Sequence, residues 1–113
     1  MTELNWNTIG QEAVSILRSL VRFDTTNPPG NELPLVQHLA TQLTGEGLSP
    51  QILESAPGRA NLVVRLKGDG SERPLLLLSH LDVVPAEPDR WTHPPFDGEV
   101  DEGYLWARGA IDS

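Results

Sequence analysis

The chain has 113 residues, a formal net charge of −8 at pH 7 and no cysteine. This length supports a single domain with one core. The acidic balance argues against nucleic acid or a membrane as partner, and without thiols any metal must be held by His, Asp or Glu.

Two amphipathic helices are predicted in the first half of the chain. Residues 8–11 have the pattern of a capping box headed by Thr8, and apolar residues at helical spacing continue to about Arg22. Residues 27–30, Asn-Pro-Pro-Gly, then end any helix and form a rigid connection.

The second helix is predicted to begin after Asn31, which can cap it. Either Gly45 or Gly47 can provide the left-handed residue that ends it. Its predicted buried face consists of four apolar residues, Leu35, Val36, Leu39 and Leu43.

Three strands are predicted between the second helix and the middle of the chain. Residues 51–54 and 61–66 form the first two, and a turn at 68–70 leads to the third. The third contains four consecutive leucines, 75–78, a run typical of a strand covered on both faces in an α/β sheet. We therefore expect a central, buried strand that ends at Ser79.

A long segment with four prolines follows this strand, and loops of that length are usually functional or packed over a site. Residues 99–100 and 104–106 then form a predicted hairpin. This hairpin is expected to return residues 108–112 toward His80.

His80 and Asp82 follow directly after the leucine run. Ligands of α/β sheets bind beyond the carboxyl ends of the strands, and two residues of extended backbone direct both side chains to one side. This suits an imidazole that binds a metal while the carboxylate fixes its tautomer. A capped strand end with a satisfied histidine explains the same residues, so the pair alone leaves both interpretations open.

A second set of motifs favours the metal. The chain contains HxDVVP from His80, W-x-x-x-P-F from Trp91 and RGAxD from Arg108. In this order and spacing they closely resemble the two N-terminal signatures of one family of dinuclear zinc amidohydrolases. That family includes acetylornithine deacetylase, succinyl-diaminopimelate desuccinylase, aminoacylase and the bacterial glutamate carboxypeptidases. The resemblance extends back through residues 23–32.

The resemblance implies a role for three residues. His80 would be a terminal ligand of one zinc ion, and Asp112 would bridge two zinc ions. Asp82 would be the catalytic-site carboxylate that orients His80. Arg108 is interpreted as a structural ion pair, and His93 as a residue that packs the proline-rich loop.

The resemblance also implies a fold and an activity. We expect a three-layer α/β sandwich with a central mixed sheet flanked by helices, of which residues 1–113 form the N-terminal part. The parent enzyme would hydrolyse an amide bond in N-acyl amino acids or small peptides with two zinc ions, for which cobalt is a substitute. We expect a cytoplasmic protein, because no signal peptide or apolar stretch of ~20 residues is present. We also expect it to be able to form homo-oligomers, because a domain cut at Ser113 would expose a sheet edge or an apolar face that promotes association.

The chain lacks part of the family's pattern. It contains no Glu-Glu pair, which supplies the general base in the family, and the further carboxylate ligand and the distal histidine that the family uses are expected beyond Ser113. We therefore expect this piece to be inactive, with zinc bound weakly or not at all. Two alternatives stay open: a non-catalytic binding module on the same scaffold, and a mononuclear hydrolase whose site is completed by another subunit.

Overall fold

A computed structural model of the chain describes residues 2–112. The chain divides into two compact units. The first contains the residues up to Asp24 and those from Val83 onward, and the second is Thr25–Asp82. Within the described residues, neither helix is both long enough and apolar enough to cross a membrane.

The first unit begins with helix α1, Trp6–Leu20. Its N-cap is Asn5, whose side-chain oxygen accepts a hydrogen bond of 3.2 Å from the backbone N–H of Thr8. The prediction of Thr8 as cap was therefore wrong by three residues, because Asn5 has the same capping chemistry one turn earlier. No residue of α1 is buried, although Leu17 and Leu20 in its last turn are half-buried.

The first unit also contains the predicted hairpin, strands β3 (Glu99–Asp101) and β4 (Tyr104–Trp106). Both residues of its turn have positive φ, 49° at Glu102 and 82° at Gly103. That conformation is the type I′ turn favoured by the twist of two-residue hairpins. The prediction of this hairpin is confirmed.

Two arginine side chains, one in the last turn of α1 and one just after the helix, hold the loop in front of β3. Arg18 Nε donates to the Gly98 carbonyl at 2.8 Å, and Arg22 Nε donates to the Asp97 carbonyl at 2.9 Å. The buried apolar side chains of this unit include Val21 and Val83, each 7% exposed, and Pro95. The unit is thus held by side-chain to backbone hydrogen bonds around a very small core.

The second unit is built from helix α2, Leu33–Gly45, and a hairpin of strands β1 (Gln51–Ala56) and β2 (Arg59–Val63). Its core contains three apolar residues below 8% exposure, Leu35, Val36 and Ala60. The left-handed residue after α2 is Gly47, with φ of 81°. Both predicted strands exist, but β2 begins and ends earlier than residues 61–66.

The N-terminus of α2 is capped by tertiary structure. Its N-cap is Glu32 and not the predicted Asn31, and no side chain caps it. The carbonyl of Gly58, in the β1–β2 turn, accepts from the Leu33 N–H at 3.1 Å. Glu32 is 5% exposed and pairs with Arg59, Oε2 to Nε 2.7 Å. Helix and hairpin are therefore joined by one backbone contact and one ion pair whose carboxylate is buried and whose guanidinium is partly exposed.

The leucine run is not the predicted buried strand. Residues 64–82 contain no strand, and Leu75 to Leu78 are 82–91% exposed. A strand forms only where a neighbouring strand satisfies its backbone N–H and C=O groups. In residues 2–112 each sheet has two strands, β1–β2 or β3–β4, and neither pairs with the leucine run. The described part of the chain therefore contains two small antiparallel sheets and no central mixed sheet.

Candidate functional site

His80 and Asp82 meet in the second unit without a strand beneath them. His80 Nδ1 lies 3.1 Å from Asp82 Oδ1 and 3.0 Å from the Asp82 backbone carbonyl. The imidazole is 58% exposed and the carboxylate 31% exposed. The two side chains thus form the predicted pair, at a surface that solutes can reach.

The contacts of Nδ1 define the tautomer of His80. A carboxylate and a carbonyl oxygen only accept, so Nδ1 must carry the proton that is shared between them. In the neutral ring the lone pair then lies on Nε2. This is the state of a histidine that ligates a metal while a carboxylate orients it.

Asp82 has a second partner that the sequence did not indicate. The Asn27 amide nitrogen donates to Asp82 Oδ2 at 2.8 Å. This hydrogen bond lowers the pKa of the Asp82 carboxyl below its ordinary value, against the effect of partial burial, and the contact with His80 lowers it further. The carboxylate is therefore kept ionised and able to accept from both neighbours.

Thr25 supports the same segment. Its side chain is 1% exposed, and its Oγ1 donates to the Leu81 carbonyl at 2.7 Å. The sequence indicated Asn27 only as part of the rigid connection at residues 27–30, and Thr25 only as part of the stretch that resembles the family. The signal that pointed to them was the family resemblance of residues 23–32, because no local pattern links positions 55 residues apart.

Asp112, the predicted bridging ligand, is exposed and belongs to the first unit, whereas His80 and Asp82 belong to the second. Each unit is a body of its own, so the convergence of these three residues stays a prediction. Among residues 2–112, no group of three or more His, Asp or Glu side chains is placed to hold a metal ion.

His93 and Arg108 take part in the packing of the first unit. The His93 side chain is 13% exposed, and its Nδ1 lies 3.0 Å from Glu99 Oε2. The centroids of the His93 and Trp106 rings are 4.5 Å apart. The prediction of a packing residue is confirmed. The guanidinium carbon of Arg108 lies 5.1 Å from the centroid of the Trp91 ring, which is a cation–π contact. An ion pair was predicted for Arg108.

Comparison with known proteins identifies the family. The sequence model of peptidase family M20/M25/M40 matches residues 76–113. The chain is 37% identical over 105 residues to aminoacylase-1 of Mus musculus, which covers 88% of this chain and 25% of that protein. It is 36% identical over 108 residues to a succinyl-diaminopimelate desuccinylase of Methylorubrum populi, covering 90% of this chain and 27% of that one.

A shorter and more similar match covers 54 residues at 52% identity. It relates 46% of this chain to 10% of a probable carboxypeptidase S-like 2 of Dictyostelium discoideum. The chain spans about a quarter of the length of the aminoacylase and desuccinylase relatives. The matches cover nearly all of the chain, and the family model covers the segment with His80, Asp82 and Asp112. The chain therefore belongs to peptidase family M20/M25/M40.

Proposed function

We propose that this chain is part of a zinc-dependent amidohydrolase that acts on N-acyl amino acids or small peptides. The observation that carries the proposal is the His80–Asp82 pair, whose geometry leaves the imidazole lone pair on Nε2. Its relatives are named aminoacylase, desuccinylase and carboxypeptidase S-like, and these names share the cleavage of an amide bond.

The donor set of the chain suits zinc. Imidazole and carboxylate are ordinary zinc ligands, and a carboxylate partner on the far ring nitrogen is the usual support of a ligating histidine. In this proposal His80 would hold one of two zinc ions through Nε2 and Asp112 would serve both, and cobalt would be a substitute. Bound zinc would lower the pKa of a coordinated water to about 7 and polarise the scissile carbonyl.

The chain's own residues provide orientation. Asp82 holds the His80 ring through Nδ1 and keeps that proton from exchanging to Nε2. Asn27 and Thr25 hold Asp82 and the Leu81 backbone in turn. The sequence contains no Glu-Glu pair, which supplies the general base in the family, so the step that moves the proton to the leaving amine would fall to residues outside this chain.

The proposal extends to the architecture of the complete protein. Residues 1–113 would form the N-terminal part of a three-layer α/β catalytic domain in a cytoplasmic enzyme. In that domain the exposed leucine run would become a buried strand once neighbouring strands flank it. The chain's coverage of about a quarter of its relatives supports this view.

Metal analysis of the complete parent protein tests the proposal. Two zinc ions are expected per chain, His80→Ala should mainly weaken one, and Asp112→Ala should disturb both because a bridging ligand serves each. Asp89→Ala removes an exposed carboxylate of the same unit as Asp112 and should retain both ions. If Asp112→Ala bound two ions at the parental affinity, its role as the bridge would be wrong.

A second candidate function is a non-catalytic binding module on the same scaffold. The finding that favours it is that residues 2–112 contain no group of three potential ligands. A complete reading frame that continues into a Glu-Glu motif and yields zinc-dependent hydrolysis of N-acetyl amino acids supports the enzyme. A reading frame that stops at Ser113 supports the module.

A further inference from the structure

The segment of residues 25–27 reaches the His80–Asp82 pair through two hydrogen bonds of different kinds. Thr25 fixes backbone, by donating to the Leu81 carbonyl at 2.7 Å, and Asn27 fixes a side chain, by donating to Asp82 Oδ2 at 2.8 Å. Both contacts lie inside the second unit and join positions more than 50 residues apart. A segment that only linked two helices would not need a donor aimed at this carboxylate.

The two oxygens of Asp82 have separate tasks. Oδ2 accepts from Asn27, and Oδ1 faces His80 Nδ1 at 3.1 Å. A carboxylate with only one of these partners can rotate about its Cβ–Cγ bond, because that torsion is broad and roughly two-fold. With Oδ2 held by the amide, Oδ1 stays directed at the imidazole.

We infer that Asn27 is a positioning residue: its amide holds Asp82 in the orientation that keeps the proton of His80 on Nδ1 and the lone pair on Nε2. An amide is suited to this task because its nitrogen donates two hydrogens and carries no charge. An aspartate at position 27 has nearly the same shape, but in its ionised form it cannot donate and it adds a like charge beside Asp82. The relevance of this contact to zinc rests on the proposed function, whereas the contact belongs to this chain with or without metal.

The tautomer of His80 can be measured without metal. Long-range ¹H–¹⁵N NMR spectra distinguish Nδ1–H from Nε2–H in each of the three imidazoles, above the pH at which they lose their charge. In the parent chain His80 should be mainly Nδ1–H. In Asn27→Asp and Asn27→Ala, whose folding is checked by circular dichroism, it should move toward Nε2–H, with His38 and His93 unchanged.

Asn61→Asp is the matched control, because it makes the same chemical change at an exposed position of β2 in the same unit. It should leave the His80 signals unchanged. A parent chain with His80 mainly as Nε2–H would overturn the inference, and so would folded Asn27 variants that keep the parental tautomer.

A second measurement covers the case in which neither Asn27 variant folds. In the parent chain, the side-chain amide proton of Asn27 that bonds Asp82 should resonate downfield and return upfield in Asp82→Ala. An unmoved signal would reject the contact.

The consequence for metal is tested separately in the complete parent protein. Substitution of a residue that hydrogen-bonds to a metal ligand typically lowers metal affinity by roughly 10–100-fold. Asn27 lies one contact further out, so Asn27→Asp should lower zinc affinity by up to about tenfold. If the parent bound no zinc while Asn27→Asp still shifted the tautomer, the proposed function would fail and the positioning role would stand. An unchanged zinc affinity in Asn27→Asp, with the tautomer shifted, would remove the link to the metal.

Discussion

Thr25 shows how one buried hydroxyl can hold a functional segment in a chain with so small a core. It is 1% exposed and donates to the Leu81 carbonyl between His80 and Asp82. A valine of nearly the same shape would keep the packing and leave that carbonyl without its donor. The Thr25 hydroxyl therefore contributes to stability through its hydrogen bond and not through the shape of the side chain.

We expect Thr25→Val to lower the free energy of unfolding by about 1–3 kcal/mol, the cost of an acceptor left unsatisfied on partial burial. Urea denaturation followed by circular dichroism measures it. Thr44→Val is the control, because its hydroxyl also donates to a carbonyl, that of Ala40 at 2.7 Å, but at an exposed helix position. Equal effects of the two substitutions would contradict the importance of burial at Thr25.

Two glycines of the first unit have positive φ and differ in their surroundings. Gly98 has φ of +62°, and a Cβ built on it would lie 3.0 Å from Val21 Cγ2 and 3.1 Å from the Arg18 carbonyl oxygen. Gly103, in the β3–β4 turn, has φ of +82° and nothing within 4 Å. The first position needs glycine for conformation and for close packing against α1, and the second only for conformation.

Alanine substitutions separate the two requirements. Gly103→Ala should cost about 1–2 kcal/mol for the left-handed conformation alone. Gly98→Ala should cost a further 1–3 kcal/mol, roughly the penalty of overpacking, because the Arg18 carbonyl belongs to the α1 backbone and Val21 is buried at its C-cap, so neither can yield easily. Thermal denaturation of both variants provides the comparison, and a Gly98→Ala variant as stable as Gly103→Ala would show that α1 does not pack on this loop.

At the scale of the whole molecule, the exposed leucine run is the feature most at odds with an isolated protein. Leu75 to Leu78 are each more than 80% exposed, next to one another. Contiguous apolar surface with unpaired backbone promotes association, since another chain can pair with it and bury the side chains. The chain therefore has a surface suited to self-association, which agrees with the expectation from the sequence that it can form homo-oligomers.

We expect the sedimentation coefficient of the chain to rise with concentration, and Leu76→Lys with Leu78→Lys to reduce that rise, because lysine opposes edge pairing. The control is Gln11→Lys, which adds positive charge at an exposed position of α1. A parent chain that sediments as a monomer over a hundredfold range of concentration would contradict the prediction.

Local sequence patterns were sufficient to predict most of the helices and strands of this fold. The β3–β4 hairpin was predicted correctly because Glu102 and Gly103 form a turn that depends on the residues within it. Both helices and the β1–β2 strands were also predicted, with their ends displaced by a few residues. The displaced caps have a physical cause, since Asn5 competes with Thr8 and the Gly58 carbonyl replaces a side-chain cap on α2.

Long-range pairing could not be read in the same way. The leucine run has the composition of a buried strand, but burial needs neighbouring strands, and the described chain provides none. The pairing of His80 with Asp82 was expected from their spacing of two residues, and the family resemblance was needed to favour a metal site over a capped strand end. The Asn27 contact joins positions 55 residues apart and depends on how the second unit packs. Composition and spacing specify which groups are available, and tertiary packing selects which of them meet, because hydrogen bonds and burial are satisfied by neighbours in space.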